Sequence, residues 1–166
     1  MMHDRYWIMV DIETSGPVIG KHSMTELGAA VGSQQLGVVN RFEALIRPIG
    51  TAVKTSKASF GRALEHGSEP GEALRRFAAW AKPYLEQRAT FVARPAAFDW
   101  PWIVWYAWTF LGENPFGFKA VCASSWFDAL GNGSTSSCRT SRSAMPRSSS
   151  RTSSPGFACR ARGRDY

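Results

Sequence analysis

The order of its segments predicts an α/β domain built on a mixed sheet. Three strand-like runs come first, a helix with one apolar face follows, and strand and helix then alternate. The first strand is expected at about residues 6–11, where Tyr6 to Val10 is apolar and rich in strand formers. The second is expected at 24–32 and the third at 41–48. A loop rich in Lys, Ser and Gly should run from Gly50 to about Ser59. Ser68-Glu69-Pro70 reads as a helix start, with a cap-like Ser and an early Pro. That helix carries Ala73, Leu74, Phe77, Trp80 and Ala81 on one face and should end near Leu85. A fourth strand is expected at 89–94, an apolar helix from Trp100 to Leu111, and a short fifth strand from Lys119 to Ala123.

The first strand runs into Asp11-Ile12-Glu13-Thr14-Ser15-Gly16. Alternate residues of a strand face the same way, so Asp11 and Glu13 would project side by side. Like charges held that close call for a cation or a shared proton. Hard oxygen ligands at this spacing suit Mg²⁺ or Mn²⁺. The plainer alternative is that Asp11 caps the turn after the strand and Glu13 is solvated.

A third acid, Asp99, follows the fourth strand in Phe98-Asp99-Trp100. An acid between a strand and a helix is often only an N-cap, because its oxygen accepts orphan amide protons. Three carboxylates at strand ends and helix starts of one α/β domain can instead converge on two metal ions.

Asp-Ile-Glu-Thr-Ser-Gly after an N-terminal strand, with Phe-Asp-Trp after a later one, resembles the DnaQ-like (DEDD) family of 3′–5′ exonucleases. The connecting sequence is similar too. Met24 to Val31 resembles the family's second strand, Phe42 to Pro48 its third, and Asn114-Pro115-Phe116-Gly117 a later segment. The resemblance covers roughly residues 5 to 130. It implies a ribonuclease H-like mixed sheet flanked by helices, and a two-metal (Mg²⁺ or Mn²⁺) phosphodiesterase that releases nucleoside 5′-monophosphates. The partner would be a nucleic-acid 3′ end, DNA or RNA, with a single-stranded end expected. Asp11 would bridge both metals, Glu13 and Asp99 would each hold one, and Thr14 would lie near the terminal sugar.

The resemblance then breaks. The family's third motif, in its largest branch, is a His followed five positions later by an Asp, with the His acting as general base. The three His of this chain, His3, His22 and His66, all precede Asp99. In the other branch a Tyr stands four residues before the Asp; here Ala161 stands four before Asp165. Composition changes abruptly at the same point: residues 132–166 hold ten Ser, three Thr and seven Arg in 35 positions, with no apolar period. Two domains of the chain are therefore distinguished, an exonuclease-like domain over 1–131 with an incomplete C-terminal part, and a Ser/Arg-rich tail over 132–166. Such a tail is expected to be disordered, since it cannot bury enough apolar surface to offset chain entropy. It would also suit an RNA-binding or phosphorylated arm, or a shifted reading frame of a GC-rich gene. The frame shift is favoured because a domain that should continue stops where the composition changes. An exonuclease impaired by the missing motif is the expected function; a catalytically inactive nucleic-acid- or partner-binding domain of the same fold is the alternative.

The charge must be read with that division in mind. Twenty Lys and Arg against thirteen Asp and Glu give +7, and a pI near 9.8. The tail supplies seven Arg and one Asp, or +6, which leaves 13 basic and 12 acidic residues, or +1, in residues 1–131. The globular part thus carries little of the charge that drives non-specific nucleic-acid binding. The longest apolar run, Trp100 to Leu111, is too short for a bilayer span and reads as a buried helix. Its Trp102, Trp105 and Trp108 are expected in the core. No secretory signal pattern is evident near the N-terminus. Three cysteines, Cys122, Cys138 and Cys159, without paired metal spacing, suggest a reduced cytoplasmic protein.

Overall fold

The computed structural model describes residues 5–53 and 57–130. The nine elements within them run β1 (Trp7–Thr14), β2 (Met24–Ser33), β3 (Gly37–Leu45), α1 (Lys57–His66), α2 (Pro70–Leu85), β4 (Thr90–Ala93), α3 (Ala96–Leu111), β5 (Ala120–Cys122) and α4 (Ala123–Ala129). The strands form one sheet in the order β3-β2-β1-β4-β5. The β3-β2-β1 part is antiparallel, while β4 runs parallel to β1 and β5 parallel to β4. This is the mixed α/β sheet of a ribonuclease H-like fold. Parallel neighbours require crossover connections, which is why the second half alternates helix and strand.

One face of the sheet is the core. Ile8, Val10 and Ile12 of β1, Leu27, Ala29 and Val31 of β2, and Phe42 of β3 are buried there. Against them pack Ala73, Leu74, Phe77 and Ala81 of α2, and Trp102, Ile103 and Tyr106 of α3. Each fully buried large apolar side chain contributes about 1.5–3 kcal/mol relative to exposure. The Asn114 turn closes the same core: the Asn114 carboxamide oxygen accepts the Phe116 N–H at 3.1 Å. Phe116 then stacks on Phe77 at 4.8 Å between ring centroids. Among the described residues no helix is long and apolar enough to cross a membrane.

Several sequence expectations need correction. β3 begins at Gly37 and ends at Leu45, because a tight turn at 34–36 returns the chain at once and leaves Val38 and Val39 exposed. The stretch expected as loop and left unassigned beyond it contains α1, where Ala63 is the one buried residue among 58–66. Ser68 does not cap α2. It lies in a bridge with Ile46, and its backbone donates to Leu45 O at 3.0 Å and accepts from Arg47 N–H at 2.8 Å. Glu69 takes the N-cap position. On α3 the buried stripe is Trp102, Ile103, Tyr106 and Ala107. Trp105 is partly buried, and Trp108, expected in the core, is half-exposed, since residues six apart on a helix lie about 120° apart around its axis. α4 had no counterpart in the sequence reading. The predicted 132–166 tail lies outside the described residues.

Candidate active site

The acid-bearing face of the sheet is the one opposite the core. Along β1 burial alternates, with Ile8, Val10 and Ile12 inward and Met9, Asp11 and Glu13 exposed. The pairing register extends this face across three strands. Asp11 lies opposite Gly28, which lies opposite Glu43; Glu13 lies opposite Glu26, which lies opposite Leu45. Directly opposed residues share a face, so Asp11, Glu13, Glu26 and Glu43 all project from one side of the sheet. Gly28 leaves the floor between Asp11 and Glu43 bare. The resulting open cleft, about 630 Å³ in volume, is lined by these four acids and by Arg62 of α1. Arg62 is ion-paired with Glu26. Burial first, and then the charges of Asp11 and Glu26, hold the Glu13 carboxyl above the usual range.

Asp99 arrives from the other side of β1. β4 lies parallel to β1 and ends at Ala93, in register with Val10. The chain turns through a cis Arg94–Pro95 bond straight into α3. Pro95 occupies the N-cap, and no side-chain capping bond is made there. The cap reading of Asp99 is therefore wrong: Asp99 sits one turn inside α3 and is only 2% exposed. Its Oδ2 is buried without a hydrogen-bond partner. Burial, and next the charge of Asp11, push the Asp99 carboxyl up to about 6, against the opposing pull of the Ile12 and Arg94 backbone N–H groups; Cys122 adds a smaller upward push. Cys122 closes β5, and its own thiol is lowered to about 6, chiefly by the hydroxyls of Ser124 and Ser125.

Asp11 is thus the shared neighbour of both other acids. Among the described residues, however, no three His, Cys, Asp or Glu side chains stand close enough to enclose a metal ion. The arrangement is a pair of carboxylates, Asp11 with Asp99, flanked by Glu13. That suits a hard cation such as Mg²⁺, which binds through one or two carboxylates and takes its remaining ligands from water and substrate phosphate. The buried, partnerless Oδ2 of Asp99 faces the same demand.

Thr14 follows a register shift between Glu13 and Thr14. The loop after it is pinned in place by buried Ser15 and Ser23. Ser15 Oγ donates to Thr51 O at 2.6 Å and accepts Ser23 N–H at 2.8 Å, while Ser23 Oγ accepts the N–H groups of Ile49 and Gly50 at 2.9 and 2.7 Å. Gly16 is required at the turn, because a Cβ there would meet the His22 ring at 2.6 Å.

No family model matches the chain. It is 31% identical over 135 residues to a 3′–5′ DNA exonuclease, Cap18, of Escherichia coli, a match that covers 77% of this chain and 71% of that protein. The chain belongs to the DnaQ-like 3′–5′ exonucleases. Solved structures of exonuclease I share the fold of this DnaQ-like chain. The product-bound form has a TM-score of 0.64 at 10% identity over 78% of this chain. The E. coli enzyme in complex with a dA13 oligonucleotide has a TM-score of 0.61 at 10% identity over 76%. This DnaQ-like chain spans about a third of the length of those exonuclease I chains, 32% and 30% respectively.

Glu26, Glu43 and Arg62 escaped the sequence reading. Glu26 sits inside the segment that resembles the family's second strand, but its place opposite Glu13 is a matter of register, which the sequence does not state.

Proposed function

We propose that the chain is a metal-dependent exonuclease domain that releases nucleoside 5′-monophosphates from the 3′ end of a nucleic acid, at a rate reduced by the missing third motif. The observation that supports it most is the buried, partnerless Oδ2 of Asp99 beside Asp11. Asp11 and Asp99 would hold the ion, with Glu13 contributing from the exposed side. A divalent ion bound there would activate water and neutralise charge on the attacked phosphate and the leaving oxygen. Asp99 must be ionised to serve, so its raised pKa, about 6, makes ion binding weaken as pH falls through that value. Thr14, next in the chain after Glu13, would meet the terminal sugar. Cap18 acts on DNA by its name, which favours a DNA substrate, and the sheet's open face would admit a single-stranded end.

The test is stepwise shortening, from the 3′ end, of a 5′-labelled single-stranded oligonucleotide in Mg²⁺ or Mn²⁺. Without its general base the chain should turn over about 10²–10⁴ times more slowly than a relative with all motifs. The Asp11→Ala variant should abolish what remains. Full-motif rates would overturn the impairment, and turnover insensitive to Asp11→Ala would overturn the site. A second reading, a binding domain without hydrolysis, is favoured by the lack of a three-ligand set among the described residues. It predicts oligonucleotide binding with no product in either metal.

A further inference from the structure

The cleft that holds Asp11 and Glu13 poses an electrostatic problem. Four carboxylates line it, and a strand end must bring phosphates into it. Arg62 is the only cation among the described residues that line the cleft. It stands on α1 and is itself exposed, so the core does not require its side chain there. Its guanidinium is paired with Glu26, which lies directly opposite Glu13 in the register. The Arg62 side chain is 56% exposed and that of Glu26 28%. An ion pair this open contributes little to stability. A guanidinium that trades a single carboxylate for a phosphate loses little and gains a bidentate, charge-matched partner.

We propose that Arg62 is a substrate ligand for this site: it leaves Glu26 and binds a backbone phosphate near the 3′ end of the incoming strand, while Glu26 holds it at the cleft in the free protein. The inference rests on the exonuclease reading. It assigns opposite roles to the two partners of one ion pair, since Arg62 attracts the strand and Glu26 competes with it.

The experiment measures binding, so it does not depend on turnover. The probe is 5′-fluorescein-labelled dT12 with a phosphorothioate 3′-terminal linkage, titrated by anisotropy in Mg²⁺ across a range of salt. The Arg62→Gln variant should bind about five- to tenfold more weakly. Its slope of log affinity against log salt should be shallower by about 0.7, the loss of one phosphate contact on a single strand. The Glu26→Gln variant should bind about two- to fivefold more tightly, the equivalent of one exposed ion pair released. Arg62→Lys should keep the salt slope while binding more weakly than the parent, because it loses the bidentate contact, and Arg62→Met stands in for Arg62→Gln if that variant fails to fold. Where turnover is measurable, Arg62→Gln should raise KM and leave kcat nearly unchanged. Equal losses of affinity in Arg62→Gln and Glu26→Gln, or thermal destabilisation of both with unchanged binding, would show a structural clamp and overturn the proposal. Absence of any dT12 binding by the wild-type chain would overturn the exonuclease reading itself, and this inference with it.

Discussion

Asp11, exposed on β1, raises the cost of charge on Asp99, which is buried in the first turns of α3. Burial is the larger cause at Asp99 and Asp11 the second. A carboxylate in this position destabilises the protein that carries it, which is the expected signature of a group kept for a ligand.

The Asp99→Asn variant should therefore fold more stably than the parent at neutral pH. In the unfolded chain Asp99 releases its proton near 3.8, and in the fold near 6. Between these values the native state holds the extra proton, so its stability falls as pH rises through that window and is flat above it. An asparagine has no such dependence. In metal-free buffer Asp99→Asn should gain about 1–3 kcal/mol above pH 6, allowing for screening, and converge on the parent below pH 4. Urea denaturation from pH 4 to 8 measures it, and a gain that ignores pH would refute the assignment.

Removing Asp11 should relax both of its neighbours. In Asp11→Asn the Asp99 midpoint should move down from about 6 yet stay above the ordinary value, because burial persists. The Glu13 midpoint should fall as well. Glu26→Gln should lower Glu13 and leave Asp99 in place, since Glu26 acts on Glu13 alone of the two. Carboxyl carbon-13 titration resolves each residue; an Asp99 midpoint unmoved by Asp11→Asn would separate the two groups.

A divalent ion should stabilise the chain by the same logic. At ten times its Kd, Mg²⁺ would contribute about 1.4 kcal/mol, seen as a saturable rise in Tm. The rise should vanish in Asp11→Asn. It should also weaken below pH 6, where the ion must displace the Asp99 proton. Thermal melts with and without Mg²⁺ at pH 5.5 and 7.5 test both points, and equal stabilisation at the two pH values would count against Asp99 as a ligand.

Much of the fold was legible because its strands and α2 announce themselves by period. Ile8, Val10 and Ile12 alternate with Met9, Asp11 and Glu13, and Ala73, Leu74, Phe77 and Ala81 recur on one helical face. α1 was not legible for the converse reason: it buries Ala63, exposes Leu64 and contains Gly61, so its pattern carries no face. The acids Asp11, Glu13 and Asp99 stood out by their places at strand ends, but the environment of Asp99 did not. Pro95-Ala96-Ala97 starts α3 one turn early and turns an apparent cap into a buried side chain. Glu26, Glu43 and Arg62 depend on strand register and on where a polar helix lands, and neither is written in any local pattern.

The tie between the site's two halves can be cut without touching the acids. Tyr106, fully buried on the helix that carries Asp99, accepts the Met24 N–H through its hydroxyl at 2.7 Å. Met24 is the first residue of β2, the strand that presents Glu26 and Gly28 to the cleft. Tyr106→Phe leaves that buried N–H without a partner, at a cost of about 1–3 kcal/mol. Burial holds the Tyr106 phenol at about 12, against 10 for an ordinary one. In the parent, stability should therefore fall as pH rises through 10 to 12, because only the unfolded chain ionises freely there. Tyr106→Phe lacks that loss, so the gap between parent and variant should narrow from pH 8 to pH 10.5 in urea denaturation. A gap that widens over this range would mean that the phenol is not the buried acceptor that aligns β2 with α3.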